Sequence, residues 1–438
     1  MRARTKAEVL PFTKSQKKML FALASAVGLR MLGLFLVLPV FTLYGLEFTR
    51  SRFLVGVAFG CYGMAVALTA LPMGRLSDHI GRRKVLILGM AIFGLGSVLC
   101  AVPSWFPPGM RVEVLIAGRF VQGLGTISAA AFATVADNFP FGRRTTANAI
   151  LGIPIGVAFA LGVIGGPIVA GLYKVETLFW LTAALAFASV GLLASNLPDT
   201  PPSSEPVAPV REVLRSRPLL CLDVSGFLMN AFMTAFWFYL PLILIRQHHL
   251  KMTRFYIVLL PMLILSGFTM FGFSRSADRD FGKRAGAIAF LLMAASGVLL
   301  FRPGILRMSS GHFLAVFVPG ALFFMGFTGL EPILPSLVSR QSHQTAYGTA
   351  LGSFQTLQYL GSFAGGAIAG AFSALPTVAP MAFLAALGGL GFLLMLFGPV
   401  DRRMNSGSYE KNPDACDKKF FRRSSPSVLD ERETGKTR

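Results

Sequence analysis

Twelve apolar runs, each about long enough to cross a bilayer as a helix, alternate with short polar loops along the 438 residues. They lie near 19–45, 53–73, 85–103, 113–136, 145–172, 178–196, 219–245, 255–274, 285–301, 312–338, 346–373 and 378–399. With 54% hydrophobic and 14% charged residues, the chain does not belong to the soluble globular class. The expected fold is an all-α membrane protein of twelve transmembrane helices. The first run continues for about 25 residues without a small-residue cleavage pattern, so it reads as a retained span.

The net charge of +21 would fit nucleic acid in a soluble protein. Here the cations fall in tails and short loops, where membrane orientation explains them and nucleic-acid binding is not expected. Of the 41 Lys and Arg, 30 lie on the side of the two termini and 9 on the other, with Arg30 and Arg119 inside spans. The positive-inside rule puts both termini in the cytoplasm. Cys61, Cys100 and Cys221 sit in apolar runs and Cys416 in a polar tail, without metal spacing or a disulfide framework. His248 and His249 share an outer loop without a third ligand, so no metal site is expected.

A Pro- and Ser-rich stretch between the sixth and seventh spans divides the chain. This predicts a tail 1–18, a six-helix bundle 19–197, a linker 198–217, a second bundle 218–400, and a charged, disordered tail 401–438. The halves echo each other. Gly162 to Gly171 (GVIGGPIVAG) lines up with Gly361 to Gly370 (GSFAGGAIAG), Gly74 to Asp78 with Gly272 to Asp278, and Pro39 with Pro241. All three matches imply a displacement of about two hundred residues, as in a transporter built from two pseudo-symmetric halves with its site between them.

The most polar string between spans is GRLSDHIGRRK, Gly74 to Lys84, read as a short loop between the second and third spans. It resembles the G-x-x-x-D-R-x-G-R-R/K loop of the major facilitator superfamily. RFVQGLG (Arg119 to Gly125) is similar to that family's fourth-helix pattern, and GVIGGPIVAG to the fifth-helix pattern of its drug:proton antiporter branch, with Ala170 replacing a glycine. RMLGLFLVLPV in span 1 and LEPILPSLVS in span 10 are similar to YajR-like bacterial members. Those carry a further C-terminal domain of ferredoxin-like type, which the short charged tail is not expected to form.

The resemblance implies a conformational latch at Gly74, Asp78, Gly81, Arg82 and Arg83, with Asp78 set against the start of span 11 near Tyr347. Helix-end amides suit a carboxylate, and Arg82, Arg83 and Lys84 suit lipid phosphate or acids of the other half. A plain orienting loop is the alternative. His79 stands where the family has arginine, so that position carries no fixed charge.

Charges within spans are costly and point to function. They are Arg30, Arg119 and Glu331, in spans that the resemblance assigns to the central cavity, with Asp223 near the start of span 7. Glu331 is the carboxylate deepest in an apolar run and the best single proton carrier, or else a static buried partner. Pro332 and Pro335 should break the helix beside it. Arg119 either couples protons, as the resemblance implies, or ties spans together. Asp223 reads as a favourable first-turn acid and as a candidate for proton coupling. Gly162, Gly166 and Ala170 put small residues on one helix face for close approach, with Pro167 and Gly171 beside them, which would seal the halves against a leak. Phe35, Phe232, Phe236 and Trp237 are expected to reach the cavity, suiting an apolar substrate.

No nucleotide-binding loop, HExxH or nucleophile elbow is present, so an enzyme, a cofactor and direct use of nucleotide energy are not expected. The expected function is secondary active transport in a bacterial inner membrane, by a monomer that uses protons, contacts lipid and exports a small apolar or amphipathic compound. A symporter or uniporter of the same fold is the alternative, and a transporter-like sensor signalling through the tail is a rival from another class.

Overall fold

The computed structural model describes residues 12–139, 141–198, 216–278, 281–302, 305, 313–342 and 347–400. Most of the expected linker and all of 401–438 lie outside these residues. The helices of the first half are α1 (Lys14–Val37), α2 (Phe41–Phe48), α3 (Arg52–Ile80), α4 (Arg82–Ala101), α5 (Arg111–Leu124), α6 (Ser128–Asn138), α7 (Phe141–Leu172) and α8 (Val175–Asn196). Those of the second are α9 (Arg217–Arg246), α10 (Tyr256–Asp278), α11 (Gly282–Phe301), α12 (Phe313–Gln341), α13 (Tyr347–Phe372) and α14 (Val378–Phe397).

Helices are what lipid allows, because each one satisfies its own backbone. Among the described residues, eleven spans are long and apolar enough to cross a membrane. The remaining span, α13, the eleventh in chain order, has 26 residues but carries Ser353, Gln355, Thr356, Gln358 and Ser362. It lies between α3 and α9, so protein covers much of its surface. By contrast, α7 and α10 turn Ile153, Val157, Leu161, Ile264, Phe268 and Phe271 outward, where a soluble protein would place polar groups. The first and fourth spans are each built from two helices, interrupted at Leu38–Val40 and at Gly125–Ile127.

Local chemistry sets several helix ends. Thr13 and Gln16 form a reciprocal capping box that starts α1 five residues before the expected span. Ser51 accepts from the Leu54 amide at 3.3 Å and starts α3. The expected loop from Gly74 to Lys84 is not a loop. Helix α3 runs on to Ile80, α4 begins at Arg82, and Gly81 alone lies between them at φ 96°. Only glycine adopts that angle without strain, so one residue makes the turn. Pro332 and Pro335 also fail to break α12, which is continuous from Phe313 to Gln341. Their missing amides leave the carbonyls of Thr328 and Glu331 without the usual intrahelical donor.

The internal repeat is visible in the packing. A methyl group on Gly162 would lie 2.6 Å from Phe35 Cβ, and one on Gly166 would collide with the Leu36 carbonyl. At the matching positions, Gly361 and Gly365 press against the carbonyls of Phe227 and Ala231 on α9. Thus α7 lies on α1 as α13 lies on α9. The glycine ladder therefore packs within a half instead of sealing one half to the other. Only Gly171 crosses over, with 2.6 Å between its would-be methyl and Thr253 Cγ2.

Gly166→Ala should lower the unfolding temperature in detergent, at a cost of about 1–3 kcal/mol from overpacking. Gly152→Ala meets nothing within 4 Å and should be neutral or gain about 0.5–1 kcal/mol from helix propensity. Equal behaviour of the two variants in a thermal melt would contradict the packing.

Candidate functional site

Five helices bring an ionisable cluster to the middle of the molecule. Arg30 of α1 is 1% exposed and donates from Nη2 to the Tyr62 hydroxyl of α3 at 2.6 Å. Its guanidinium also lies over the rings of Phe93 (5.4 Å) and Tyr62 (5.9 Å). Arg119 of α5 approaches the same Tyr62 ring at 4.9 Å and the Phe41 ring at 5.1 Å. It donates to Gln122 Oε1, and Gln122 Nε2 donates to Ser97 Oγ at 2.8 Å. One tyrosine thus serves two guanidiniums. Opposing them, Tyr359 of α13 meets Tyr62 edge-on, ring centroids 6.5 Å apart, and is in electrostatic reach of both Arg30 and Glu331.

Glu331 of α12 is exposed and lies in electrostatic reach of Tyr359 on α13, on the side of α12 that faces the other half. No cation lies within ion-pair distance of it among the described residues; the ion pairs found there all belong to Arg82. The aromatic expectation needs revision. Phe232, Phe236 and Trp237 are 1% exposed or less, in a column with Phe323 and Phe324 in which Phe236 and Phe323 stack at 3.8 Å. Only Phe35 is partly open, edge-on to Phe159.

Asp223 is not a first-turn acid. It sits two turns into α9, 1% exposed, and accepts from the Ser353 hydroxyl of α13 at 2.8 Å, while Oδ1 has no hydrogen-bond partner among the described residues. It therefore ties α9 to α13.

The spacing between α3 and α13 shows how the halves meet. Near Arg52 they touch through backbone. A methyl on Gly56 would strike the Gly366 carbonyl, and one on Gly60 would lie 2.7 Å from Phe363 Cα. The Arg52 guanidinium donates to the Ser373 carbonyl. Farther along, Gly352 faces only the Leu71 side chain, and Gly348 has nothing within 4 Å. The pair is shut at one end and diverges toward the other.

At the diverging end, Arg82 is the hub. It pairs with Asp78 one turn earlier, donates from Nε to Asp137 Oδ2 at 2.9 Å and from Nη1 to Ser77 Oγ at 2.6 Å. Arg83 donates to the Ala194 carbonyl at the end of α8. The described partner of Asp78 is thus Arg82, while residues 343–346, just before α13, lie outside the described residues. Sequence reasoning missed Asp137 and also Tyr62 and Tyr359. Asp137 carried a usable signal, an acid near the end of an otherwise apolar span.

A family profile described as Major Facilitator Superfamily matches residues 23–366. The chain is 31% identical to "Inner membrane transport protein YajR" of Escherichia coli (strain K12), over 82% of this chain and 78% of that protein. It is 28% identical to "Multidrug resistance protein MdtL" of Escherichia fergusonii, over 39% of this chain and 44% of that one. Among solved structures, a bacterial homolog of the human lysosomal transporter Spinster, in an inward-facing and occupied conformation, superposes with a TM-score of 0.72 at 13% identity, covering 91% of this chain and 100% of that one.

The ion pairs of the buried Arg82 with acids 26% and 35% exposed are worth about 1 kcal/mol after solvent screening, or about fivefold in a two-state equilibrium. Asp137→Asn should therefore change the rate of substrate movement in vesicles about two- to fivefold, as should Asp78→Asn, with affinity nearly unchanged. A large loss of affinity in either variant would show that this hub belongs to the binding site.

Proposed function

Because this chain belongs to the major facilitator superfamily, and is thus a multi-pass membrane transporter rather than an enzyme, we propose that it exports a small apolar or amphipathic compound from a bacterial cell in exchange for protons. The observation that carries this reading is Glu331, an exposed carboxylate with no ion-pair partner among the described residues, which shares the neighbourhood of Tyr359 with the buried Arg30. Such a group can take up and release a proton from an internal cavity, and its charge is felt across the plane where the halves meet. The fifth-helix glycine motif and the similarity to MdtL support export.

In this reading the halves are rigid bodies, 19–197 and 218–400, joined by the linker 198–217. They rock about the central cluster, and protonation of Glu331 biases the two arrangements. Charge distribution puts both termini inside, so the shut end at Arg52 and Ser373 faces outward and the cavity opens inward. The Arg82 hub acts as the latch, at a surface where Arg83 and Lys84 also meet lipid phosphate. A monomer suffices, since the site is complete within one chain. Symport is the second reading, because the same carboxylate serves either direction of coupling.

Reconstituted vesicles with an imposed pH gradient test the proposal, using compounds first picked out by growth or accumulation screens. Wild type should drive substrate against its own gradient, and Glu331→Gln should retain only downhill movement. Wild-type movement indifferent to the pH gradient would remove proton coupling. Equal active transport by the variant would remove Glu331 from it.

A further inference from the structure

We infer that the compound moved through the cavity carries an anionic group, a carboxylate or an equivalent oxyanion, and that Arg30 is its anchor. The inference rests on the transporter reading for its setting but not on proton coupling or on the direction of transport. Its ground is the unbalanced state of Arg30. A guanidinium has five N–H donors and no way to lose its charge in a protein. That of Arg30 is 1% exposed, spends Nη2 on a neutral phenol, and leaves Nε and Nη1 buried without hydrogen-bond partners among the described residues.

The compensation on hand is too small. Two aromatic faces beyond 5 Å attract the charge only weakly, whereas burying an unpaired ion is costly. Arg119 adds to the imbalance. It lies against the same Tyr62 ring, and its Nε is likewise buried without a partner. Two cations therefore share the centre, and the acid in electrostatic reach of Tyr359 from the other half is Glu331. Even fully ionised, one carboxylate leaves a charge of +1, which a monoanion would neutralise.

The geometry also describes the rest of the ligand. Beside the unpaired donors stand Phe93 on α4 and Tyr62 on α3, and Tyr359 meets Tyr62 from the other half. An apolar or aromatic body would pack there while its head group supplies the acceptors Arg30 lacks. Charge-assisted hydrogen bonds of this kind are roughly twice as strong as neutral ones, so the head group would dominate selection. A cation of the same size would be repelled by both arginines.

The test is a melting-temperature assay on the purified full chain in detergent at neutral pH. The probes are 4-phenylbutyrate, decanoate and naphthalene-2-sulfonate, against 4-phenylbutanamide and 4-phenylbutylamine. Ligands that bind the folded state raise the melting temperature in a saturable way. At least one acid should do so, with the amide and the amine weaker by at least about tenfold in half-saturating concentration. Arg30→Gln should abolish the response to acids, Arg30→Lys should weaken it, and Gly152→Ala, on an open face of α7, should keep it. If Arg30→Gln does not fold, the lysine variant and the amide comparison still decide.

Three results would overturn the inference: an amide or amine as effective as the acid, a full acid response in Arg30→Gln, or no wild-type response to any acid. Acid binding by a protein whose vesicles ignore a pH gradient would overturn proton coupling alone. Proton-driven movement of neutral or cationic compounds without acid binding would overturn the anion alone.

Discussion

Inside a bilayer, an unpaired backbone amide has no water to turn to, and an apolar side chain gains nothing by leaving lipid for a neighbouring helix. The first fact makes the chain helical. The second means that something other than hydrophobic burial must hold the helices together, and in this protein glycine supplies it. Where Gly166 meets Leu36, or Gly365 meets Ala231, the missing side chain lets two backbones touch. Dispersion between closely fitted surfaces then replaces the hydrophobic effect. The same device joins the halves at Gly56, Gly60, Gly366 and Gly370. Within each half it brings helices into backbone contact, and between α3 and α13 it acts near Gly56 and Gly60.

Charge is distributed on the same plan. At the diverging end, Arg82 satisfies Asp78, Asp137 and Ser77 at once, all within the first half. In the interior, by contrast, Arg30 and Arg119 rely on a phenol, an amide and aromatic faces, and Glu331 has no cation within ion-pair reach among the described residues. The pairs of Arg82 are thus satisfied, while the charges of the central cluster are not balanced by one another among the described residues.

Most of the fold was legible because lipid imposes one length and one composition on every span. The misreadings are local and share a cause: helix limits depend on what neighbours accept, not on hydropathy. Gly74 to Ile80 looks like a loop because it is polar, yet it stays helical because Ser77 and Asp78 face Arg82 across a single glycine. Asp223 looks like a helix-start acid because the apolar run begins near it, but α9 starts earlier, at Arg217. At the site, charged residues announced themselves by being rare in apolar runs. Tyr62 and Tyr359 did not, since a tyrosine in a membrane span is common enough to carry no signal until its hydroxyl is found against an arginine.

The joint near Gly56 has a geometric consequence for the site. From Gly56 to Gly74, α3 rises about 27 Å, and from Gly56 to Tyr62 about 9 Å. Hinged at the shut end, a rotation of about 15° would displace the far end by about 7 Å and the tyrosine by about 2 Å. The helix is a lever with a reduction of about three to one, counted in residues along α3. An aperture wide enough for an aromatic ring is thereby linked to a displacement no larger than the difference between a made and a broken hydrogen bond. The centre of the protein does not have to move far to be felt at its edge.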